Sequence, residues 1–301
     1  MVVDSIIDLI GNTPLVKFKT EEVDSNIYVK LEGFNPTGSI KDRACLANIE
    51  DAIGSGKLKK GMTILDASSG NMACAISFYG KVLGYDTELV CGSKLTLDKK
   101  NFIEYFGSKL NMVGDFTIEG NRYCREVIVP QNPEKYCFLD QLHNNNNPLA
   151  SYKTLGPEIY KDLPNIKMIV GSLGSGGSMY GATKFLKEKT KITSITVESE
   201  SGYKIPGTGT FVDGDYVTPF IEKGKKELFD DFIRINLPNA IKRTEQLAKQ
   251  GMFVGWQTGG VLDGAIQSIK KHNIKGDVVI LSGDSGWKNI DKLMLNLNNK
   301  K

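Results

Sequence analysis

Met168-Ile169-Val170-Gly171-Ser172-Leu173-Gly174-Ser175-Gly176-Gly177-Ser178 is a short apolar run that breaks into a loop of glycine and serine. From Tyr180 to Lys189 the pattern turns helical. The same order recurs along the chain. Ile27 to Leu31 leads to Pro36-Thr37-Gly38-Ser39-Ile40-Lys41, Thr63 to Leu65 leads to Ser68-Ser69-Gly70-Asn71, and Val278 to Leu281 leads to Ser282-Gly283-Asp284-Ser285-Gly286. Thr87 to Val90 and Ile195 to Val197 read as further strands, and Asn71 to Leu83 and Ala240 to Lys249 as further helices. Short, near-continuously apolar runs are the mark of parallel strands covered on both faces, so the expected fold class is α/β with right-handed crossovers. In such sheets ligands bind beyond the carboxyl ends of the strands, where helix amino termini turn N–H groups toward anions. Four loops of this kind predict one composite site. Asn144 to Asn147, before Pro148, predicts a polar turn or hinge, and the tail from Asn296 to Lys301 is expected to fray.

The composition narrows the classes of function. With 301 residues, 40% hydrophobic and 24% charged, the chain has room for one large or two medium domains around a sizeable core. Its 38 basic residues nearly balance 35 acidic ones and are scattered, which gives no reason to expect nucleic acid. No run approaches the roughly 20 apolar residues of a membrane span, and Met1-Val2-Val3-Asp4-Ser5 lacks the pattern of a signal peptide, so cytoplasmic residence is the default expectation. Cys45, Cys74, Cys91, Cys124 and Cys137 are widely spaced, with no C-x-x-C pair and no histidine cluster, and read as reduced, mostly buried thiols with no metal site.

The Gly171 to Ser178 segment has the means to hold a phosphate, since its glycines let successive N–H groups turn inward and its serines add donors. It does not fit the dinucleotide pattern, because Met179 stands where a third glycine is needed, nor the P-loop, because Gly177 stands in place of lysine. Two readings remain: a turn that needs positive φ, or a seat for a small phosphate such as that of pyridoxal phosphate. Lys41 stands at an expected helix start, where the helix dipole disfavours a cation. It is either a surface lysine or one whose charge is removed by imine formation with an anionic cofactor.

Five stretches then agree in order and spacing with one family. Ile10-Gly11-Asn12-Thr13-Pro14-Leu15-Val16, Lys30-Leu31-Glu32-Gly33-Phe34-Asn35-Pro36-Thr37-Gly38-Ser39-Ile40-Lys41-Asp42-Arg43, Ser69-Gly70-Asn71, Asn147-Pro148 with Lys153-Thr154-Leu155-Gly156-Pro157-Glu158-Ile159, and Gly174-Ser175-Gly176-Gly177 resemble the cysteine synthase (O-acetylserine sulfhydrylase) family, related to the catalytic core of cystathionine β-synthase. The resemblance runs from about Ile7 to Ser285. It implies a fold-type II pyridoxal-phosphate enzyme, similar to the tryptophan synthase β subunit, with two α/β domains and a homodimeric assembly. A smaller mobile domain of residues 39–143 would close on a larger one of residues 1–38 plus 144–301. The cofactor implied is pyridoxal 5'-phosphate. Lys41 matches the Schiff-base lysine and α-proton base, Asn71 the partner of the ring hydroxyl, Gly174, Ser175, Gly176, Gly177 and Ser178 the phosphate cup, and Ser285 the residue at the pyridine nitrogen. Ser68, Ser69, Met72 and Gln141 match positions that receive the substrate carboxylate. A neutral hydroxyl at the ring nitrogen does not hold a proton there as an aspartate would, which weakens the electron sink and favours expulsion of a β-substituent.

Departures from the family pattern bear on the substrate. Met72 stands where a threonine is usual and Ala73 where a glycine is usual, and Gly255-Trp256-Gln257-Thr258-Gly259-Gly260 replaces glycine-isoleucine-serine-serine-glycine-alanine. Trp256 reads either as a wall of the active site or as packing. Asp230-Asp231, between Phe229 and Phe232, reads either as a solvated turn or, through Asp231, as a base that activates water. The implied activity is β-elimination or β-replacement through an α-aminoacrylate, with L-cysteine broken down to hydrogen sulfide and serine or lanthionine as the favoured direction. The alternatives are synthesis of L-cysteine from O-acetylserine or O-phosphoserine and sulfide, and a non-catalytic binding homologue.

Overall fold

Near-continuous runs of β-branched and aliphatic residues let a strand bury both of its faces, and the chain uses this in two sheets. In the computed structural model, which describes residues 2–93 and 95–298, the chain opens with β1 (Leu15–Phe18) and β2 (Asn26–Leu31). It continues through α1 (Lys41–Gly54), β3 (Thr63–Ala67), α2 (Asn71–Val82), β4 (Asp86–Cys91), α3 (Leu97–Tyr105), β5 (Lys109–Met112) and α4 (Thr117–Tyr123). A π-helical turn over Cys124–Ile128 carries α4 into a last short turn, α5 (Val129–Gln131), before β6 (Tyr136–Phe138). Then follow α6 (Asn146–Lys153), α7 (Leu155–Asp162), β7 (Met168–Ser172), α8 (Gly177–Lys189), β8 (Thr193–Ser199), α9 (Pro219–Glu227), β9 (Asp231–Ile235), α10 (Leu237–Ala248), α11 (Trp256–His272), β10 (Asp277–Ser282) and α12 (Ile290–Asn298). The helix at the carboxyl end thus persists to Asn298, beyond the point where fraying is expected, and residues 299–301 lie outside the described residues. Asn144 and its neighbours form the expected turn, and α6 begins inside it at Asn146.

Two compact units result, one of Met1–Ile40 with Pro148–Lys301, the other of Lys41–Asn147. The first holds a six-stranded sheet in the order β1-β2-β10-β7-β8-β9, parallel except for the β1–β2 edge pair. Alternate residues of its strands serve opposite layers. Val170, Ile195, Val278 and Ile280 pack with Leu247 of α10 and Leu262 and Ile266 of α11, while Ile169, Val279 and Leu281 pack with Ile159 of α7 and Met179 and Leu186 of α8. The second unit holds an all-parallel sheet, β5-β4-β3-β6, in which Leu65, Ala67 and Val90 pack against Cys124 and Ile128 of the π-helical turn. Strands β1, β5, β6 and β9 are not evident in the sequence because they are short and all four lie at sheet edges, where solvent-facing polar residues interrupt the apolar pattern. Among the described residues no helix is long and apolar enough to cross a membrane, and all five cysteines are buried thiols.

The first two sequence stretches singled out above are welded together by buried polar groups. Thr13 Oγ1 donates to Glu32 Oε1 at 2.6 Å, Asn35 Nδ2 donates to Glu32 Oε2 at 3.0 Å, and the Gly11 N–H donates to Asn35 Oδ1 at 2.9 Å. The fully buried Lys30 ammonium donates to Thr13 O at 2.6 Å and pairs with Glu158 of α7 at 2.8 Å. Charges and amides this deep persist only when each is satisfied, so the network holds the segment before Lys41 in one conformation. Glu158→Ala is expected to lower stability by about 3 kcal/mol by stranding the buried ammonium. Urea unfolding would measure it, and a loss below about 0.5 kcal/mol, the level of an ordinary surface change, would contradict the role given to the pair.

Candidate active site

In the larger unit the polar chemistry gathers where β7 and β10 end. Past Ser172 the chain turns through Gly176, which sits in the left-handed region at φ +81° and forms the amino-terminal boundary of α8 without a side-chain cap. The first-turn N–H groups of α8 begin with that of Gly177, which Ser175 Oγ meets at 3.5 Å, and a helix start of this kind can seat an anion. A methyl group on Gly176 would come within 2.6 Å of Ile221, whereas one on Gly174 would meet nothing nearer than Gly207 O at 3.8 Å. Gly174 therefore borders open space. Thr218 Oγ1 donates to Ser175 O at 2.6 Å and steadies the loop from α9.

Beyond β10, the Ser285 N–H donates to Gly38 O at 3.1 Å, and Gly33 passes so close that an added methyl would lie 2.8 Å from the Ser285 nitrogen. The Ser285 hydroxyl is half-buried, lies near Gly38, and makes no hydrogen bond among the described residues. Trp256 packs against the core cluster beneath the sheet, so of its two readings the packing one matches the structure.

In the smaller unit, Lys41 is the first residue of α1, as the sequence predicts. Burial pushes its amine down to about 8. The neighbouring Asp42 is fully buried and accepts a 2.8 Å hydrogen bond from the Tyr79 hydroxyl of α2, which ties the two helices together close to Lys41. Ser68 and Ser69 follow β3. Ser68 Oγ accepts the Gly70 N–H at 3.2 Å, Ser69 Oγ accepts the Gly92 N–H at 2.7 Å, and the Cys91 thiol donates to Ser68 O at 3.0 Å. Asn71 and Met72 form the first turn of α2, where Met72 is 1% exposed. Gln141 reaches the same strand end, its Nε2 donating to Ala67 O at 3.0 Å. Ser68, Ser69, Asn71, Met72 and Gln141 are thereby brought to one edge of this sheet. Sequence reasoning missed Asp66 behind them. Burial pushes its carboxyl up to about 8, against the lowering effect of hydrogen bonds from the Ala67 and Gln141 N–H groups, and an isolated aspartate inside an apolar strand was the available signal.

Residues 6–283 match the family described as pyridoxal-phosphate dependent enzyme. The chain belongs to that family. Within it, this pyridoxal-phosphate dependent enzyme is 33% identical over 264 residues to cysteine synthase B of Salmonella typhimurium, covering 86% of this chain and 85% of that one. It is 30% identical over 306 residues to the O-acetylserine dependent cystathionine beta-synthase of Bacillus subtilis, with 97% of each chain covered. Among solved structures, a hydrogen sulfide-producing enzyme from Fusobacterium nucleatum superposes with a TM-score of 0.88 at 31% identity, over 96% of this chain and 98% of that one. The enzyme is thus of the cysteine synthase type, with fold-type II architecture and a pyridoxal phosphate cofactor. The residues present fit that cofactor: a helix start with glycine at its cap beside open space at Gly174 suits its phosphate, and an amine of lowered pKa at Lys41 suits its aldehyde.

Asp231 requires a correction. It is the first residue of β9, paired with Ile195 near the start of β8, and so lies at the amino-terminal edge of a parallel sheet whose glycine loop follows the carboxyl ends. The remaining length of β9 puts it about 13 Å from the carboxyl edge at the usual rise per residue. Lys271 Nζ and His272 Nε2 bind its carboxylate at 2.6 and 2.7 Å. Burial tends to raise its pKa, but these bonds and the Phe232 N–H outweigh it and leave the carboxyl below its usual value, which makes a weak base. Neither the solvated turn nor the water-activating base describes it. Asp231→Asn is expected to leave kcat/KM within about twofold of wild type. A loss of two orders of magnitude in steady-state turnover would restore it to the chemistry.

Proposed function

We propose that this enzyme consumes L-cysteine and releases hydrogen sulfide, giving serine when water adds to the β-carbon and lanthionine when a second cysteine does. The coarser activity, pyridoxal-phosphate β-replacement in cysteine metabolism, is common to its relatives. The observation that carries the direction is the likeness to the hydrogen sulfide-producing enzyme across nearly its whole length. Burial of Met72 in the first turn of α2, where the family pattern has a hydroxyl, supports a pocket altered from that of a synthase.

In this reading Lys41 is the residue that would hold the cofactor through its aldehyde and, as a free amine, would take the substrate's α-proton. An amine with a pKa near 8 holds a useful neutral fraction at neutral pH, as a general base requires. Bound pyridoxal phosphate supplies the electron sink for the charge that develops at the α-carbon. The N–H groups and hydroxyls of Gly174, Ser175, Gly176, Gly177 and Ser178 would hold its phosphate, Asn71 would receive its ring hydroxyl, and Ser285 would offer an uncharged hydroxyl to its ring nitrogen. Ser68, Ser69, Met72 and Gln141 form the carboxylate end of the substrate site. The proton taken by Lys41 is then available to the departing hydrosulfide. Cysteine and water give serine and hydrogen sulfide, and two cysteines give lanthionine and hydrogen sulfide. A homodimer in the cytoplasm is proposed with this activity. The Phe253–Trp287 ring pair, with Trp287 74% exposed, offers an apolar surface for pairing, and five buried thiols suit a reducing compartment.

The second reading, biosynthetic cysteine synthase, is favoured by the identity to cysteine synthase B. L-cysteine alone is expected to yield sulfide together with serine or lanthionine, followed by sulfide assay and amino-acid chromatography. No sulfide from cysteine, with rapid cysteine formation from O-acetylserine and sulfide, would establish the synthase instead. The role of Lys41 has its own signature. Its neutral fraction grows as pH rises toward about 8, so the rate at which apoenzyme takes up pyridoxal phosphate should rise with pH and level off above about 8. Stopped-flow absorbance reads this, and Lys41→Ala should lack the phase and lose turnover.

A further inference from the structure

Gln257, in the first turn of α11, is 6% exposed and uses both ends of its amide on loops far away in sequence. Its Nε2 donates to Ser172 Oγ at 2.7 Å, at the last residue of β7, two positions before Gly174. Its Oε1 accepts the Gly283 N–H at 2.9 Å, two positions before Ser285, and also faces Thr258 Oγ1 at 3.3 Å. Each of these partners extends the connection. Ser172 Oγ donates to Gly207 O at 3.2 Å, in the loop after β8. Thr258 Oγ1 and Ser282 Oγ lie 2.9 Å apart at the end of β10, and Gly283 O accepts the Ile40 N–H at 2.9 Å, immediately before Lys41. One uncharged side chain thus joins the approaches to the glycine loop, to Ser285 and to Lys41.

An amide is suited to this place because it donates on one side and accepts on the other, whereas a carboxylate would offer no donor to Ser172 and an aliphatic chain would offer neither group. We infer that Gln257 is a positioning residue that sets the spacing between the glycine loop and the Ser285 loop, and through it the affinity for the cofactor. The inference rests on the reading that Gly174–Ser178 and Ser285 hold pyridoxal phosphate. Gln257 itself touches protein groups only and acts through Ser172 and Gly283.

The test is to titrate the full-length apoenzyme with pyridoxal phosphate, following tryptophan fluorescence and the absorbance maximum of the bound cofactor. Gln257→Leu is expected to weaken binding about tenfold and to move the absorbance maximum, as befits the loss of two partly buried hydrogen bonds. Ser172→Ala should weaken binding by a smaller factor, and the double variant should be no weaker than Gln257→Leu alone, since both act through one connection. Gly174→Val reports on the underlying reading, because its side chain would enter the open space beside the loop. Lost affinity in Gly174→Val with wild-type affinity in Gln257→Leu would overturn the positioning role alone. Wild-type affinity in both would overturn the placement of the cofactor's phosphate at the glycine loop and the positioning role together. A Gln257→Leu apoenzyme that melts earlier yet binds the cofactor as wild type would show a merely structural residue. If that variant does not fold, Ser172→Ala decides: unchanged affinity and absorbance overturn the inference.

Discussion

A strand covered on both faces buries most of its side chains along its length, so polar side chains gather chiefly at its ends. Both sheets obey this constraint, and much of the enzyme's organisation follows from it. Val170, Val197 and Ile280 leave no room for chemistry within the larger sheet, while Ser172, Ser199 and Ser282 mark the points at which each strand emerges. Beyond those points the backbone must turn tightly without stranding its N–H groups, and glycine at Gly176 allows that. The helix that follows begins with N–H donors, the Gly177 N–H facing Ser175 Oγ at 3.5 Å, as helix starts that hold anions do.

Burial acts alike on groups of opposite charge, and the smaller unit uses it twice. Desolvation favours the neutral form, lowering the Lys41 ammonium and raising the Asp66 carboxyl until both titrate near 8. Near neutral pH the amine is therefore within reach of its nucleophilic form, and the carboxyl behind Gln141 is mostly protonated. A neutral Asp66 supports the Gln141 turn without bringing a negative charge to the edge proposed to receive a carboxylate.

The polar network of Thr13, Lys30, Glu32, Asn35 and Glu158 shows why a sequence motif can be strict without touching the chemistry. Its residues satisfy one another in the core, and together they fix the path that leads to Lys41. Gln257 does comparable work at the carboxyl edge of the larger sheet with two hydrogen bonds to loops.

Apolar periodicity and glycine placement, read from the sequence by itself, determined the α/β class, the central strands, the helix start at Lys41 and the loops at the strand ends. These are local properties, set by which side chains can be buried and which backbone angles each residue allows. Strands β1, β5 and β9 were hidden because an edge strand buries only part of its surface, and Lys17, Lys109 and Arg234 blur the apolar signal there. The tertiary structure alone decided on which edge of the sheet Asp231 falls, since that depends on the register of β9 against β8. It alone decided the partners of Gln257, which lie 85 and 26 residues away. Hydrogen bonds across such separations arise from the packing of whole elements, and no local pattern in the chain encodes them.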